Sequence, residues 1–209
     1  MGVALSLNMD RDATNQRNSL LPIFLKIAGR PCLVVGAGHI ALKKIEALME
    51  CGADIHVVSI RAIDEVRALA ERQLVRLSLH SYTHEDLSGI FLVIAATNDS
   101  AVNQAIFTEA QRRGVLINAV DAPAQCDFYF PAVVRRGRLQ VAISTSGESP
   151  AFAQKLKEEI DTALPASLSE WIEHLGRLRQ AILKTVPPGE TRKQLLMELA
   201  NMPVENQDS

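Results

Sequence analysis

No two of the three cysteines, Cys32, Cys51 and Cys126, stand close enough to form a C-x-x-C pair, and their number is odd. Neither a disulfide framework nor a zinc site is suggested by that spacing, and a reducing compartment fits best. The sequence also lacks an apolar run of about 18 residues, the length that a membrane-spanning helix needs, and the basic start and apolar stretch of a secretory leader. Charge of one sign is missing too. With 24 acidic and 22 basic residues interspersed, the formal net charge is -2, so no global field points to nucleic acid or to a membrane surface. Any anion site must be local. Of the five histidines, His39 falls in a glycine-rich turn where it could touch a cofactor, His56 in a strand pattern, and His80, His84 and His174 have no ligand spacing between them, so no resident metal is expected. A cytoplasmic protein is expected from these absences. Hydrophobic residues make up 47% of 209, enough for the core of one large domain or two small ones.

The apolar runs alternate with helical patterns. Residues 1–20 are expected to be a flexible tail, because 8–19 are polar and aperiodic. Leu21 to Phe24 is a short apolar entry, and Cys32 to Val35 reads as a first strand buried on both faces. A helix over Ile40–Glu50 follows, with Ile40, Ile45, Leu48 and Met49 on its apolar face and Gly52 as its stop. Strands are then expected at Asp54–Ser59, Leu74–Leu79, Ile90–Ala96 and Val115–Ala119, with a helix over Ile63–Arg72 and a short turn at His84–Leu87. Another helix is expected over Ser100–Arg113, capped by Asp99 and closed by Gly114. Strands separated by helices imply a parallel sheet. From Ala119 the alternation stops. Phe128–Val134 and Leu139–Ser144, joined by Arg135-Arg-Gly-Arg138, read as a β-hairpin. Ser149-Pro150 then opens a helix to about Ala163, and 167–185 and 190–200 read as two more. An exposed apolar hairpin is an aggregation hazard in a monomer, so a homodimer is expected.

The turn after the first strand carries the first chemistry. Gly36, Gly38 and Ala41 form G-x-G-x-x-A within Gly36-Ala37-Gly38-His39-Ile40-Ala41. The first glycine makes a tight turn, the second lets backbone approach a pyrophosphate, and the small third residue lets helix and strand pack closely. The helix N-terminus offers N–H groups to the phosphates. The acidic residue usual at the end of the second strand is missing, because Ser59 and Ile60 stand there, followed by Arg61. That removes the common clue for a ribose 2′-hydroxyl; Arg61 either favours a 2′-phosphate or is simply solvated.

Several motifs in order make the chain resemble the precorrin-2 dehydrogenase/sirohydrochlorin ferrochelatase family, the NAD-dependent module of siroheme synthases. They are Leu21-Pro-Ile-Phe24, Val34-Val-Gly-Ala-Gly38 with Ala41 and Lys44, Gly52-Ala53, and Ala95-Ala-Thr-Asn-Asp99 with Val102-Asn103. Asn118-Ala-Val-Asp-Ala-Pro123, Phe128 to Pro131 and Ser144-Thr-Ser-Gly-Glu-Ser-Pro150 complete the set, which spans roughly 20–185. Ala37 departs from the family's second glycine. The resemblance implies an α/β fold, a Rossmann-type parallel sheet followed by a β-hairpin dimerisation region and a small C-terminal helical domain. On this chain the divisions are 1–20, 21–120, 121–149 and 150–209. It implies NAD as cofactor, a tetrapyrrole substrate, and dehydrogenation of precorrin-2 to sirohydrochlorin, with iron insertion left open as a second activity. The methyltransferase domain of fused siroheme synthases is not expected in this sequence.

By the same resemblance Asp121 is the general acid/base. Its position after the fifth strand puts it at the carboxyl edge of the sheet, where doubly wound folds place ligands; the bland alternative is an Asp that shapes a turn. Thr97, Asn98 and Asp99 correspond to a segment beside the dinucleotide, although helix capping explains Asp99 equally well. Ser144, Thr145 and Ser146 could meet a substrate carboxylate or form an ordinary cap and loop. Arg135, Arg136, Arg138 and Lys155 are candidate partners of the substrate's carboxylates, against the alternative of solvated turn charges. A competing class is a non-catalytic NAD(H)-sensing module, which would need neither the Asn118–Pro123 segment nor the charged hairpin. A short-chain dehydrogenase lacks support, since Tyr82 and Tyr129 are followed four residues later by Asp86 and Val133 rather than lysine.

Overall fold

A computed structural model describes residues 20–204; the expected tail over 1–20 lies, apart from Leu20, outside them. The elements run β1 (Pro31–Val35), α1 (His39–Glu50), β2 (Asp54–Val58), α2 (Asp64–Glu71), β3 (Arg76–Ser78), β4 (Leu92–Ala95), α3 (Ser100–Arg113) and β5 (Leu116–Ala119). They continue with β6 (Ala132–Arg136), β7 (Leu139–Ile143), α4 (Pro150–Ala163), α5 (Leu168–Thr185) and α6 (Glu190–Ala200). One-turn 3-10 helices lie at His84–Leu87 and Pro123–Gln125. The chain divides into two compact units, one over Pro22–Tyr129 and one that includes 130–204.

The first unit is a parallel sheet in the order β3-β2-β1-β4-β5. The chain moves outward from β1 to β3 and then returns to the other side of β1, so the order reverses between β1 and β4. Crossing helices make this possible, because parallel neighbours cannot be joined by a hairpin. β1 and β4 are buried almost throughout, which is why their sequences read as unbroken apolar runs. Leu33, Val35, Val93 and Ala95 pack with Ile106 and Ala110 of α3 in one cluster. α1 lies against β1 and β2 and buries Ala41, Ile45 and Leu48. Truncating Ile45 to Ala would cost about 2–5 kcal/mol, the usual range for a fully buried Ile.

Caps fix the helix ends. Asp99 accepts from the N–H groups of Ala101 and Val102 at 2.9 and 3.2 Å, and Gly114 ends α3 at φ 68. Ser149 accepts from the Phe152 N–H, with Pro150 at the first helical position. Three expectations need correction. Ile40 is exposed rather than on the buried face of α1, since Ala41 occupies the inward position one residue on. β3 and β4 are shorter than their apolar runs, as only Arg76–Ser78 and Leu92–Ala95 find partners. Phe128 to Pro131 is not strand, because its start is held back against β5: the Phe128 carbonyl accepts from Asn118 Nδ2 at 2.8 Å.

In the second unit β6 and β7 pair antiparallel, with Val134 opposite Val141 and Arg136 opposite Leu139. Gly137 opens the two-residue turn at φ 55, the first central position that a type II′ turn reserves for glycine. α4 packs on this hairpin, and α5 and α6 pair with each other.

Candidate active site

The carboxyl ends of β1, β4 and β5 come level at the point where the strand order reverses. The Ala96 N–H donates to the Val35 carbonyl at 2.8 Å, and the Val120 N–H to the Ala95 carbonyl at 2.9 Å. The glycine turn, the segment after β4 and the segment after β5 therefore leave the sheet side by side, where an open α/β sheet forms its ligand crevice.

The two glycines of the turn have different reasons. Gly36 has φ 109, and a Cβ there would stand 2.3 Å from the Ala96 carbonyl oxygen and 2.8 Å from its carbon. Its glycine is demanded by the fold. Gly38 has ordinary extended geometry, φ -94, at the N-cap of α1, and a Cβ on it would meet nothing within 4 Å. The fold makes no demand there, so the open space above Gly38 is what a ligand would use. α1 begins with no side-chain cap and no acidic residue in its first turn. Its first N–H groups, at His39, Ile40 and Ala41, have no partner one turn back, and the positive helix end is left for an anion. These residues fit a dinucleotide pyrophosphate. Ala37 is buried, and its carbonyl accepts from the Ile63 N–H at 3.1 Å, so this departure from a third glycine is absorbed by packing.

At the end of β2 the Ser59 hydroxyl donates to the Arg61 carbonyl at 2.7 Å. Its proton is spent, which leaves its lone pairs as acceptors. Arg61 is exposed. After β4, Thr97 is drawn into local bonds: its hydroxyl donates to Asn103 Oδ1 at 2.7 Å, and its carbonyl accepts from Asn103 Nδ2 at 3.0 Å. Asp99 is the cap of α3. Asn98 alone of the three is exposed with no side-chain partner among the described residues.

After β5 the chain folds into a loop that returns to its own base. Asn118 bridges Cys126, the Asp127 N–H donates to the Ile117 carbonyl at 2.8 Å, and Asp127 Oδ2 accepts from the Ile117 N–H at 3.0 Å. At the tip sits Asp121, exposed, with φ 59, a left-handed conformation uncommon outside glycine. Its carboxylate has no hydrogen-bond or ion-pair partner among the described residues. Inside the loop, burial pushes the Cys126 thiol above its usual range. Lys44 of α1 is half-buried, and desolvation lowers it, with Cys126 acting in the opposite direction.

The second unit holds the remaining candidates. The Ser144 hydroxyl accepts from the Ser146 N–H at 3.1 Å, and the Thr145 hydroxyl from the Ser149 N–H at 3.1 Å. As both act as acceptors, their protons remain available to a carboxylate. Ser146 is exposed at φ 53. Arg136 is a structural clamp. Its guanidinium donates to Asp161 Oδ1 at 2.6 Å and to the Asp161 carbonyl at 2.5 Å, with a further bond to the Leu164 carbonyl at 3.4 Å. It ties β6 to the end of α4. Arg135 is exposed on the same strand. Sequence reasoning gave no role to Cys126, which has no thiol partner in sequence, or to Asn103, whose bond to Thr97 has no periodic signal.

Residues 23–132 match the family model described as "Putative NAD(P)-binding", and residues 136–163 the model described as sirohaem biosynthesis protein central. Siroheme synthase of Methylococcus capsulatus is 39% identical over 173 residues, covering 83% of this chain and 36% of that protein. Siroheme synthase 1 of Cronobacter sakazakii is 43% identical over 159 residues, covering 76% of this chain and 34% of that protein. The chain thus spans roughly a third of the length of these curated relatives. Among solved structures, SirC, a precorrin-2 dehydrogenase, superposes with a TM-score of 0.74 at 29% identity, covering 87% of this chain and 90% of that one.

Proposed function

The chain belongs to the NAD(P)-binding family that its residues 23–132 match, and from that premise we propose that it is an NAD-dependent dehydrogenase oxidising precorrin-2 to sirohydrochlorin in siroheme biosynthesis. The observation that carries this reading is the carboxylate of Asp121, unpartnered among the described residues and offered from a left-handed turn at the same sheet edge as the glycine turn. The similarity to a structure called precorrin-2 dehydrogenase and to siroheme synthases supplies the substrate. An NAD(H)-sensing module would have no use for such a carboxylate.

The division of labour follows from the groups. Gly36 brings β1 against the end of β4. Gly38 and the first N–H groups of α1 hold the pyrophosphate, with His39, Ile40 and Ala41 around it. Asn98 offers its free amide on the neighbouring segment. A bound nicotinamide supplies the hydride acceptor. Asp121 takes the proton that the macrocycle releases as it is oxidised, a task within the ordinary range of a positioned carboxylate. Within the second unit, Ser144 and Thr145 keep hydroxyl protons that a carboxylate can accept, and Arg135 is an exposed charge on β6. NAD is preferred to NADP, because Ser59 presents only lone pairs: a ribose hydroxyl can donate to it, whereas a phosphate brings acceptors alone.

Dimerisation belongs to the same proposal. A lone two-stranded hairpin is marginal in water, and among the described residues β6–β7 pairs with no third strand. Leu21, Ile23 and Phe24 are 80%, 67% and 69% exposed, a further apolar surface to cover. A monomeric mass by light scattering would count against the dimer.

Purified protein given precorrin-2 and NAD⁺ should yield the sirohydrochlorin spectrum with one NADH per product, and NADP⁺ should serve at least about tenfold less well. Tight NAD(H) binding with no turnover of precorrin-2 would overturn the proposal in favour of a sensor. Iron insertion treats the metal as substrate, and adding Fe²⁺ to sirohydrochlorin in the same assay decides that second activity.

A further inference from the structure

Asp121 holds a left-handed backbone at φ 59, which aspartate tolerates better than most residues and which the bonds around it can fix. Two layers of bonds surround it. The outer layer closes the loop's base through Asp127, Ile117, Asn118 and Phe128. The inner layer joins the turn's backbone, where the Gln125 N–H donates to the Ala122 carbonyl at 2.8 Å, to one side-chain atom that reaches both carbonyls. Cys126 Sγ lies 3.2 Å from the Ala119 carbonyl oxygen and 3.4 Å from the Ala122 carbonyl oxygen and donates to this pair. These two carbonyls bracket Asp121, one two residues before it and one immediately after. The Ala122 N–H also donates to the Ala119 carbonyl, at 3.3 Å, so the thiol and the turn's own bond converge on one oxygen.

We infer that Cys126 is a positioning residue for Asp121: by bonding the carbonyls on either side of it, the thiol fixes the left-handed turn that aims the carboxylate. Its role rests on the reading of Asp121 as the proton acceptor, and it touches no substrate. Burial raises the thiol, with Asp127 adding to the effect and Lys44 opposing it. The group therefore keeps its proton at neutral pH and remains a donor. Bonds from a thiol are weak, so their loss has little effect on global unfolding. A reacting carboxylate is more sensitive, since a displacement of about 1 Å can cost on the order of 100-fold in rate.

The test compares C126A, C126S and the double variant D121A/C126A in the full chain, reading steady-state kinetics and amide hydrogen exchange. C126A should lower kcat about tenfold, within the range that misplacement allows, with KM for NAD⁺ unchanged and faster exchange at the Ala122 amide. C126S, whose hydroxyl donates along the same line, should recover kcat to within about threefold of wild type. In the D121A background, C126A should change the residual rate no further, because the two residues act as one unit. Unchanged kcat in C126A, or equal losses in the Ala and Ser variants, would overturn the inference and leave a packing role. If wild type fails to oxidise precorrin-2, the proposed function falls, and the exchange measurement still decides positioning: unchanged protection at Ala122 in C126A overturns it.

Discussion

Replacing Gly36 and Gly38 separately by alanine should split the glycine pattern into a folding requirement and a binding requirement. At Gly36 the new methyl would lie 2.3 Å from the Ala96 oxygen, and the backbone φ is 109. The backbone conformation costs about 1–3 kcal/mol for a residue with a side chain, and overpacking against a carbonyl that cannot swing away costs another 1–3 or so. A total of about 2–6 kcal/mol corresponds to a fall in Tm of roughly 4–24 °C for a chain of this size. At Gly38 the methyl meets nothing within 4 Å, and φ -94 suits any residue. The gain from a stiffer unfolded chain, about 0.4–1 kcal/mol, offsets a poorer N-cap of similar size, so Tm should stay within a few degrees. NAD⁺ affinity should nevertheless fall tenfold or more, since the methyl enters the space above the helix N-terminus. Thermal unfolding and NAD⁺ titration of both variants check this. A G38A protein that binds NAD⁺ like wild type would refute the reading of that space, and a G36A protein with unchanged Tm would refute the packing argument.

Further outcomes follow from ion pairs and thiols. R136A should lower Tm by an amount matching about 1–2 kcal/mol, because Arg136 is partly exposed and its bonds are charge-assisted, while NAD⁺ affinity is unchanged; a loss of affinity would contradict its role as a clamp. Side-chain bonds from Arg112 and Arg113 hold the Glu109 carboxyl at about 2, below the usual 4.5. A depressed folded value stabilises above the unfolded pKa, so that stability should disappear as pH falls from 4.5 toward 2. Acid unfolding of E109Q should accordingly show a shallower slope in that window, and an identical profile would remove Glu109 from the account. Burial pushes the Cys32 thiol to about 11, so it should resist thiol reagents in the native protein; labelling at the rate of an exposed cysteine would contradict its place in the sheet.

Local chemistry explains what the sequence made legible. β1 and β4 could be read because burial on both faces leaves unbroken apolar runs, and α3 and α4 because Asp99, Gly114 and Ser149-Pro150 mark their ends within a turn of the chain. The site was legible where its residues act through local backbone, as at Gly36 and Gly38. What escaped depends on partners distant in sequence. Arg136 reads as a candidate partner of a substrate carboxylate or a solvated turn charge, and the sequence does not show that Asp161, 25 residues on, takes its guanidinium. Phe128 looks like the start of a strand until Asn118 holds its carbonyl. The left-handed turn at Asp121 and the thiol beneath it have no periodic signature, since only the closed loop brings Cys126 to Ala119 and Ala122.

The central claim is that Asp121 handles the proton while the turn from Gly36 to Ala41 holds the cofactor. Replacing Asp121 by Asn tests it most directly, because Asn keeps the size and tolerates the left-handed backbone while losing the basic oxygen. D121N should lose roughly 10²- to 10⁴-fold in kcat for precorrin-2 oxidation, the range for a general acid or base, with the Kd for NAD⁺ within about twofold of wild type. Turnover of precorrin-2 at the wild-type rate in D121N, or a loss of NAD⁺ binding in step with the loss of rate, would contradict the account.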